Sequence, residues 1–222
     1  MQRSIRWTIL AGAAVSLLAG CADMGKGQKP AMGFFVTSSN PGTGGNFGGL
    51  QGADRHCQAL ASAAGAGKRN WRAYLSQQEV PGQAGINARD RIGKGPWLNA
   101  KGVLIANDVT QLHGNNNISK ATALTESGAT VNGRGDTPNR HDVLTGSQPD
   151  GTFIAGGVNT TCGNWTQSDA NGSAMVGHHD RIGLDDSVQA KSWNSSHQSR
   201  GCSIPQLKTT GGDGLLYCFA AD

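Results

Sequence analysis

The chain is short of charge and of aromatic side chains: 15% of its 222 residues are Asp, Glu, Lys or Arg, and 5% are Phe, Trp or Tyr. Its 19 basic and 15 acidic residues are scattered. No Lys/Arg run could follow a phosphate backbone, which sets nucleic acid aside as a partner. No C-x-x-C pair occurs, so the cysteines lack zinc-finger spacing. There is no G-x-S-x-G nucleophile elbow. Gly67-Lys68 has Ser62 where a phosphate loop needs its first glycine, and no Ser or Thr follows the lysine. No two carboxylates fall into acid and base roles, and Arg89-Asp90-Arg91 reads as a local ion-pair cluster. The expectation is therefore a binding protein, not an enzyme. What the chain has in excess is glycine, 34 of 222 residues, about twice the ordinary share. Such a chain makes many turns and little helix. No internal repeat is visible.

The N-terminus carries Arg3 and Arg6, an apolar run from Ile9 to Leu18, and small residues ahead of a thiol in Leu18-Ala19-Gly20-Cys21. The run is too short for a bilayer span. This arrangement resembles a bacterial lipoprotein signal peptide with its lipobox. The resemblance implies removal of residues 1–20, acylation (palmitate-type) of Cys21, export, and a lipid anchor in the cell envelope. Ala22, not aspartate, follows the cysteine, which favours the outer membrane. Nineteen basic residues less Arg3 and Arg6 leaves 17 against 15 acidic, a mature net charge of +2, too small to draw the domain to an anionic surface. Residues 21–32 (CADMGKGQKPAM) read as a flexible tether, and residues 33–222 as the folded domain. Cys57, Cys162, Cys202 and Cys218 remain. An even set in an exported chain predicts two disulfides, with three pairings open.

Gly33–Thr37 (GFFVT) and Asn70–Ser76 (NWRAYLS) predict strands. Ala53, Cys57, Leu60, Ala61 and Ala64 recur at helical spacing, and Gly65 and Gly67 end that helix. Ile86–Ile92 predicts a helical turn. Gly102–Ala106 (GVLIA) predicts a buried strand, and Val143–Thr145, Thr161–Thr166 and Leu215–Phe219 further strands. Residues 113–141 are nearly all polar and predict a long excursion without core residues. Residues 167–213 read as loop.

Several of these segments together resemble a known family. FFVTSS (34–39), GGLQGADRHCQALA (48–61), NWRAYLS (70–76), NARDRI (87–92), TGSQPDGT (145–152), TCGNWT (161–166) and LYCF (216–219) carry it. They are similar to the endostatin-like domain of unknown function found in bacterial outer-membrane lipoproteins, within the C-type-lectin-like fold. The likeness covers nearly all of residues 33–222, except 113–141. It implies an α+β domain with one main helix, short and mostly antiparallel strands, and long loops. It also implies pairing of Cys57 with Cys218 and of Cys162 with Cys202.

For function, the resemblance implies a surface- or envelope-displayed binding or adhesion module for protein partners such as extracellular matrix or plasma components. The alternatives are a carbohydrate-binding lectin module, possibly calcium-dependent, and a structural envelope lipoprotein without external ligand. Gln148-Pro149-Asp150 resembles the sugar-specificity tripeptide of calcium lectins, and Trp193-Asn194-Ser195 their Trp-Asn-Asp. Gln148, Asp150 and Asn194 are thus candidate calcium and ligand residues, oxygen donors of the kind Ca²⁺ takes. Ser195 in place of aspartate removes a charged ligand, and a simple Pro-containing turn is the competing reading. Trp97 and Trp193 are candidate contact aromatics, whereas Trp71 and Trp165 lie in strand-like segments and predict core. Arg134-Gly135-Asp136 lies in the polar excursion, the expected partner surface, as a tripeptide too short to be specific. His178-His179-Asp180, with His141-Asp142 and His197, has zinc-ligand chemistry. Adjacent histidines rarely turn to one metal, so these predict solvated loop histidines.

Overall fold

A computed structural model describes residues 1–2 and 31–222. The lipobox, Cys21 and nearly all of the tether lie outside the described residues. The architecture is mixed α+β, with few helices, mostly short strands and two disulfides. No helix among the described residues is long and apolar enough to cross a membrane.

The central element is β8 (Gly212–Ala220), the longest strand. β1 (Phe34–Val36) and β2 (Trp71–Ala73) both pair antiparallel with its C-terminal half, Phe34 opposite Phe219 and Trp71 opposite Ala220. β5 (Asp142–Leu144) runs parallel to its N-terminal half. β6 (Met175–His178) pairs antiparallel with β5, and β7 (His197–Gln198) antiparallel with β6. A second, two-stranded sheet joins β3 (Trp97–Leu98) to β4 (Leu104–Ala106).

Alternation along β8 divides the core. Leu216, Cys218 and Ala220 face one apolar cluster, and Leu215, Tyr217 and Phe219 face the other. Side chains in a strand point alternately to its two faces, so a strand covered on both reads as a continuous apolar run. On the first face lies α1 (Gly49–Ala63), burying Ala53, Cys57 and Ala61 along one stripe. Gly65, at φ +81°, lies just past its end, where a side chain would be strained. Cys57 bonds to Cys218 and Cys162 to Cys202, with Cα–Cα distances of 5.6 and 5.7 Å.

The second face corrects one expectation. Segment 113–141 does carry core residues: Ile118, Ala123 and Val131 are buried against β8 together with Trp97 and Ile105. Its apolar residues are too widely spaced for any single period, and each fills the sheet from an irregular loop. Other expectations shift in smaller ways. TCGNWT forms one irregular helical turn, α2 (Cys162–Trp165), with Gly163 and Asn164 left-handed, instead of a strand. Residues 167–213 hold β6, β7 and a short helix, α3 (Ile204–Lys208). In GVLIA only Ile105 and Ala106 are buried, while Val103 and Leu104 are exposed. The predicted turn near Ile86–Ile92 is a 3-10 turn at Ala88–Asp90.

Candidate functional site

The far end of the sheet carries a cluster of imidazoles around one carboxylate. β5 begins at Asp142, with His141 immediately before it. The β5–β6 register sets Asp142 opposite His178, and the β6–β7 register sets His197 opposite Val176. Three neighbouring strands thus bring together residues up to 56 positions apart (141 to 197). Asp142 Oδ1 lies 3.1 Å from His141 Nε2, 3.2 Å from His178 Nε2 and 3.5 Å from His197 Nε2. His178 Nε2 and His197 Nε2 are 3.0 Å apart. One donor atom each from His141, Asp142 and His178 falls within 4.8 Å of the others, and all three residues are buried. His197, its side chain 37% exposed, stands at the outer edge of this set.

The outer ring nitrogens are tied back to the fold. His178 Nδ1 is 2.7 Å from the Ala190 carbonyl and His197 Nδ1 is 3.1 Å from the Gln198 carbonyl. His141 Nδ1 faces Asp180 Oδ1 at 3.5 Å. Asp180 is itself fixed by the backbone N–H groups of Arg134 at 2.6 Å and Ile182 at 3.1 Å. The His141 and His178 rings stack with centroids 4.2 Å apart. Gly211, at φ +103°, leaves the space beside His141 that a Cβ would invade at 2.8 Å. Despite its crowded surroundings, neither Asp142 oxygen has a hydrogen-bond partner. The rings approach within contact distance but not with the alignment of a hydrogen bond.

Electrostatically, burial pushes the Asp142 carboxyl up, and the His178 and His197 side chains pull it down further, leaving it below the usual carboxylate range. The same carboxylate raises His197, against a smaller effect of burial. Asp180 is raised by burial, but His141 and the N–H groups of Arg134 and Ile182 hold it far below its ordinary value. Three imidazoles and a carboxylate are ligands suited to a divalent transition metal.

The cluster forms one wall of a cleft of about 570 Å³, shared with Arg134, Leu184 and Arg200. From the loop 181–190, Leu184, Asp185, Ser187, Gln189 and Ala190 line it; Leu184 is 87% exposed, and Val188 and Ile182, on the same loop, are 91% and 43% exposed.

The expectation of solvated loop histidines is overturned at His141, His178 and His179, which are 1%, 3% and 0% exposed. The β pairing of 142–144 with 175–178 draws the first two inward. His179 points elsewhere, with Nε2 3.1 Å from the Asn132 carbonyl. Trp97 and Trp193 are also corrected as contact aromatics. Trp97 is fully buried and donates to the Ala220 carbonyl. Trp193 is 3% exposed and packs on Tyr74 and Tyr217. Trp71 and Trp165 are core, as expected.

Gln148, Asp150 and Asn194 do come together, in a turn that uses its own polar groups. Asn194 Nδ2 donates to the Gln148 and Pro149 carbonyls, at 3.1 Å each, and to the Tyr74 hydroxyl at 2.9 Å. Asn194 Oδ1 accepts from Ser192. Asp150 Oδ1 accepts from the Thr152 hydroxyl at 2.7 Å and N–H at 3.0 Å. In the Arg134-Gly135-Asp136 tripeptide, Asp136 pairs with Lys120. Arg91 does not pair with Asp90 but grips Asp54 on α1, which sequence reasoning left without a role.

No protein-family model matches the chain, and no curated protein matches it at a significant level.

Proposed function

We propose that the chain is a lipid-anchored envelope protein whose disulfide-braced domain, endostatin-like within the C-type-lectin-like class, binds protein partners at the histidine cleft. It is a binding module, not an enzyme. The observation that carries this reading is the apolar lip formed by the loop beside the cleft. Leu184, 87% exposed, lines the cleft, and Ile182 and Val188 lie exposed within the same seven residues of loop. Isolated exposed apolar residues are ordinary, but a group of them beside a concave site marks an interaction surface. A protein partner can bury such a lip, whereas a glycan would gain little from aliphatic side chains. The calcium-lectin alternative is weakened because Asn194 Oδ1 and Asp150 Oδ1, two of the oxygens in its candidate set, already accept hydrogen bonds. The Cys21 lipobox supports the anchor.

Solid-phase binding of the oxidised full chain to laminin, fibronectin and fibrinogen tests the reading, with a Leu184→Ser/Val188→Ser double variant as control. Saturable binding to at least one of them is expected, weakened tenfold or more by the double variant without loss of melting temperature. Absence of binding to all three overturns it. So does binding that ignores the double variant but is lost on Asp150→Ala, which would restore the lectin alternative. Palmitate incorporation that disappears in Cys21→Ser checks the anchor.

A further inference from the structure

We infer that His141, Asp142, His178 and His197 form a site for a divalent transition metal, zinc by ligand type, on the wall of the cleft. The inference adds a ligand to the same cleft as the proposed function and rests on that reading only for what the metal would serve.

The argument turns on where the imidazole protons are. A carbonyl oxygen only accepts, so the nitrogen facing it must carry hydrogen. His178 Nδ1 faces the Ala190 carbonyl and His197 Nδ1 the Gln198 carbonyl. In the neutral rings both Nε2 atoms therefore present bare lone pairs. Those two lone pairs are 3.0 Å apart, and both are turned toward Asp142 Oδ1. His141 Nε2 approaches the same oxygen, with its Nδ1 toward the Asp180 carboxylate. Three electron-rich atoms, the two imidazole lone pairs and Asp142 Oδ1, thus converge, with His141 Nε2 3.1 Å from the same oxygen and no hydrogen-bond donor aligned on either buried Asp142 oxygen. Protonating the rings would place positive charge on imidazoles that touch one another, His141 on His178 with centroids 4.2 Å apart and His178 on His197 at 5.0 Å, where like charges repel. A cation among the four atoms relieves all of it at once.

The dimensions agree. Zinc binds histidine nitrogen and carboxylate oxygen at about 2.0–2.2 Å in a tetrahedron, which sets neighbouring ligand atoms roughly 3.3 Å apart. Four of the six separations here are 3.0, 3.1, 3.2 and 3.5 Å, and the His141, Asp142 and His178 ligand atoms all lie within 4.8 Å of one another. Metal-bound histidines characteristically donate their outer N–H to a carbonyl or carboxylate. Ala190 and Gln198 supply carbonyls for two of the rings, and the Asp180 carboxylate stands 3.5 Å from the outer nitrogen of the third. His141, Asp142 and His178 are the buried ligands, and His197, half in the cleft, is the one that an incoming ligand could displace. Soft thiolates are absent from the set and there is only one carboxylate, so the site favours zinc over calcium.

The experiment is zinc titration of the untagged, oxidised full chain in detergent, stripped with chelator beforehand, with calcium and magnesium as controls and cobalt as a spectroscopic probe. One zinc per chain, no calcium or magnesium competition, and a tetrahedral cobalt spectrum are expected. Asp142→Asn and His178→Gln should each weaken zinc on the order of 100-fold, since changes in the outer partners alone cost 10–100-fold. His197→Gln should weaken it less. Near-UV circular dichroism keeps misfolding separate from loss of ligand. No stoichiometric zinc on the folded wild type overturns the inference, as does zinc binding unchanged in His178→Gln. The partner reading fails separately: zinc held by a Leu184→Ser/Val188→Ser variant whose partner binding equals the wild type leaves the metal standing and removes the lip.

Discussion

Of the three aspartates buried among the described residues, Asp54, Asp142 and Asp180, the fold treats the first two in opposite ways. Asp54, on α1, accepts two hydrogen bonds from Arg91 at 2.7 and 2.8 Å, one from Arg72 at 2.8 Å and one from the Ala73 N–H at 2.9 Å. Asp142, across the sheet, accepts none. A buried carboxylate without donors is costly and persists only where something else holds it. The Asp54 end is a closed structural joint, one turn from the Cys57–Cys218 bond that ties α1 to β8. The Asp142 end borders a cleft through His141, His178 and His197, and under the metal proposal it is where the fold gives up stability for binding.

The largest effect should come from the joint. Cys57→Ser removes a bond that closes a loop of 161 residues, worth about 5 kcal/mol in the chain-entropy model. Urea unfolding measures it, and an unchanged midpoint would break the picture of this end as the anchor. Asp54→Ala is next. It strands Arg91, whose side chain is only 12% exposed, and should cost about 3–4 kcal/mol. A loss below about 1 kcal/mol would place Asp54 among ordinary surface pairs.

The open end should respond far more weakly. The neighbouring imidazoles hold the Asp142 carboxyl below the usual carboxylate range, so in chelator Asp142→Asn loses their attraction together with the desolvation cost of the charge and should cost about 1 kcal/mol or less. With zinc at about 100 times its Kd, the wild type should gain about 2.7 kcal/mol and the variant nearly nothing. A loss of about 3 kcal/mol in chelator would make the two aspartates alike and remove the contrast.

The smallest effect concerns pH. His197 is raised above its ordinary value by Asp142, so in the metal-free chain its contribution is complete below about pH 6.5. It is lost as pH rises through the raised value. Stability of metal-free wild type over His197→Gln should therefore be greater at pH 5.5 than at pH 8.5, modestly so because the ring is partly exposed. A difference that grows toward alkaline pH would contradict the His197–Asp142 pairing.

Much of the frame was legible in the residues. The α1 stripe Ala53–Cys57–Ala61, the strand-forming FFV and WRA, and the apolar LLYCF announced themselves because each repeats at the period of its element. Gln148-Pro149-Asp150 was legible as a turn. The site was not. His141-Asp142 and His178 stand at the ends of three- and four-residue strands, too short to show a period, and His197 in a strand of two. Trp97 and Trp193 misled for the converse reason. Flanked by polar, loop-forming residues, each is drawn inward by aromatic neighbours distant in sequence, Phe219 for one and Tyr217 for the other.

By itself, then, the sequence determined the helix, the terminal strand at Leu215–Phe219 and the even set of cysteines, all of them local patterns or counts. Only the tertiary structure decided which histidines share a carboxylate and which aspartate is satisfied. Those facts depend on strand register and on backbone carbonyls at Ala190 and Gln198. Register is a property of pairing between distant segments, and no stretch of chain carries it alone.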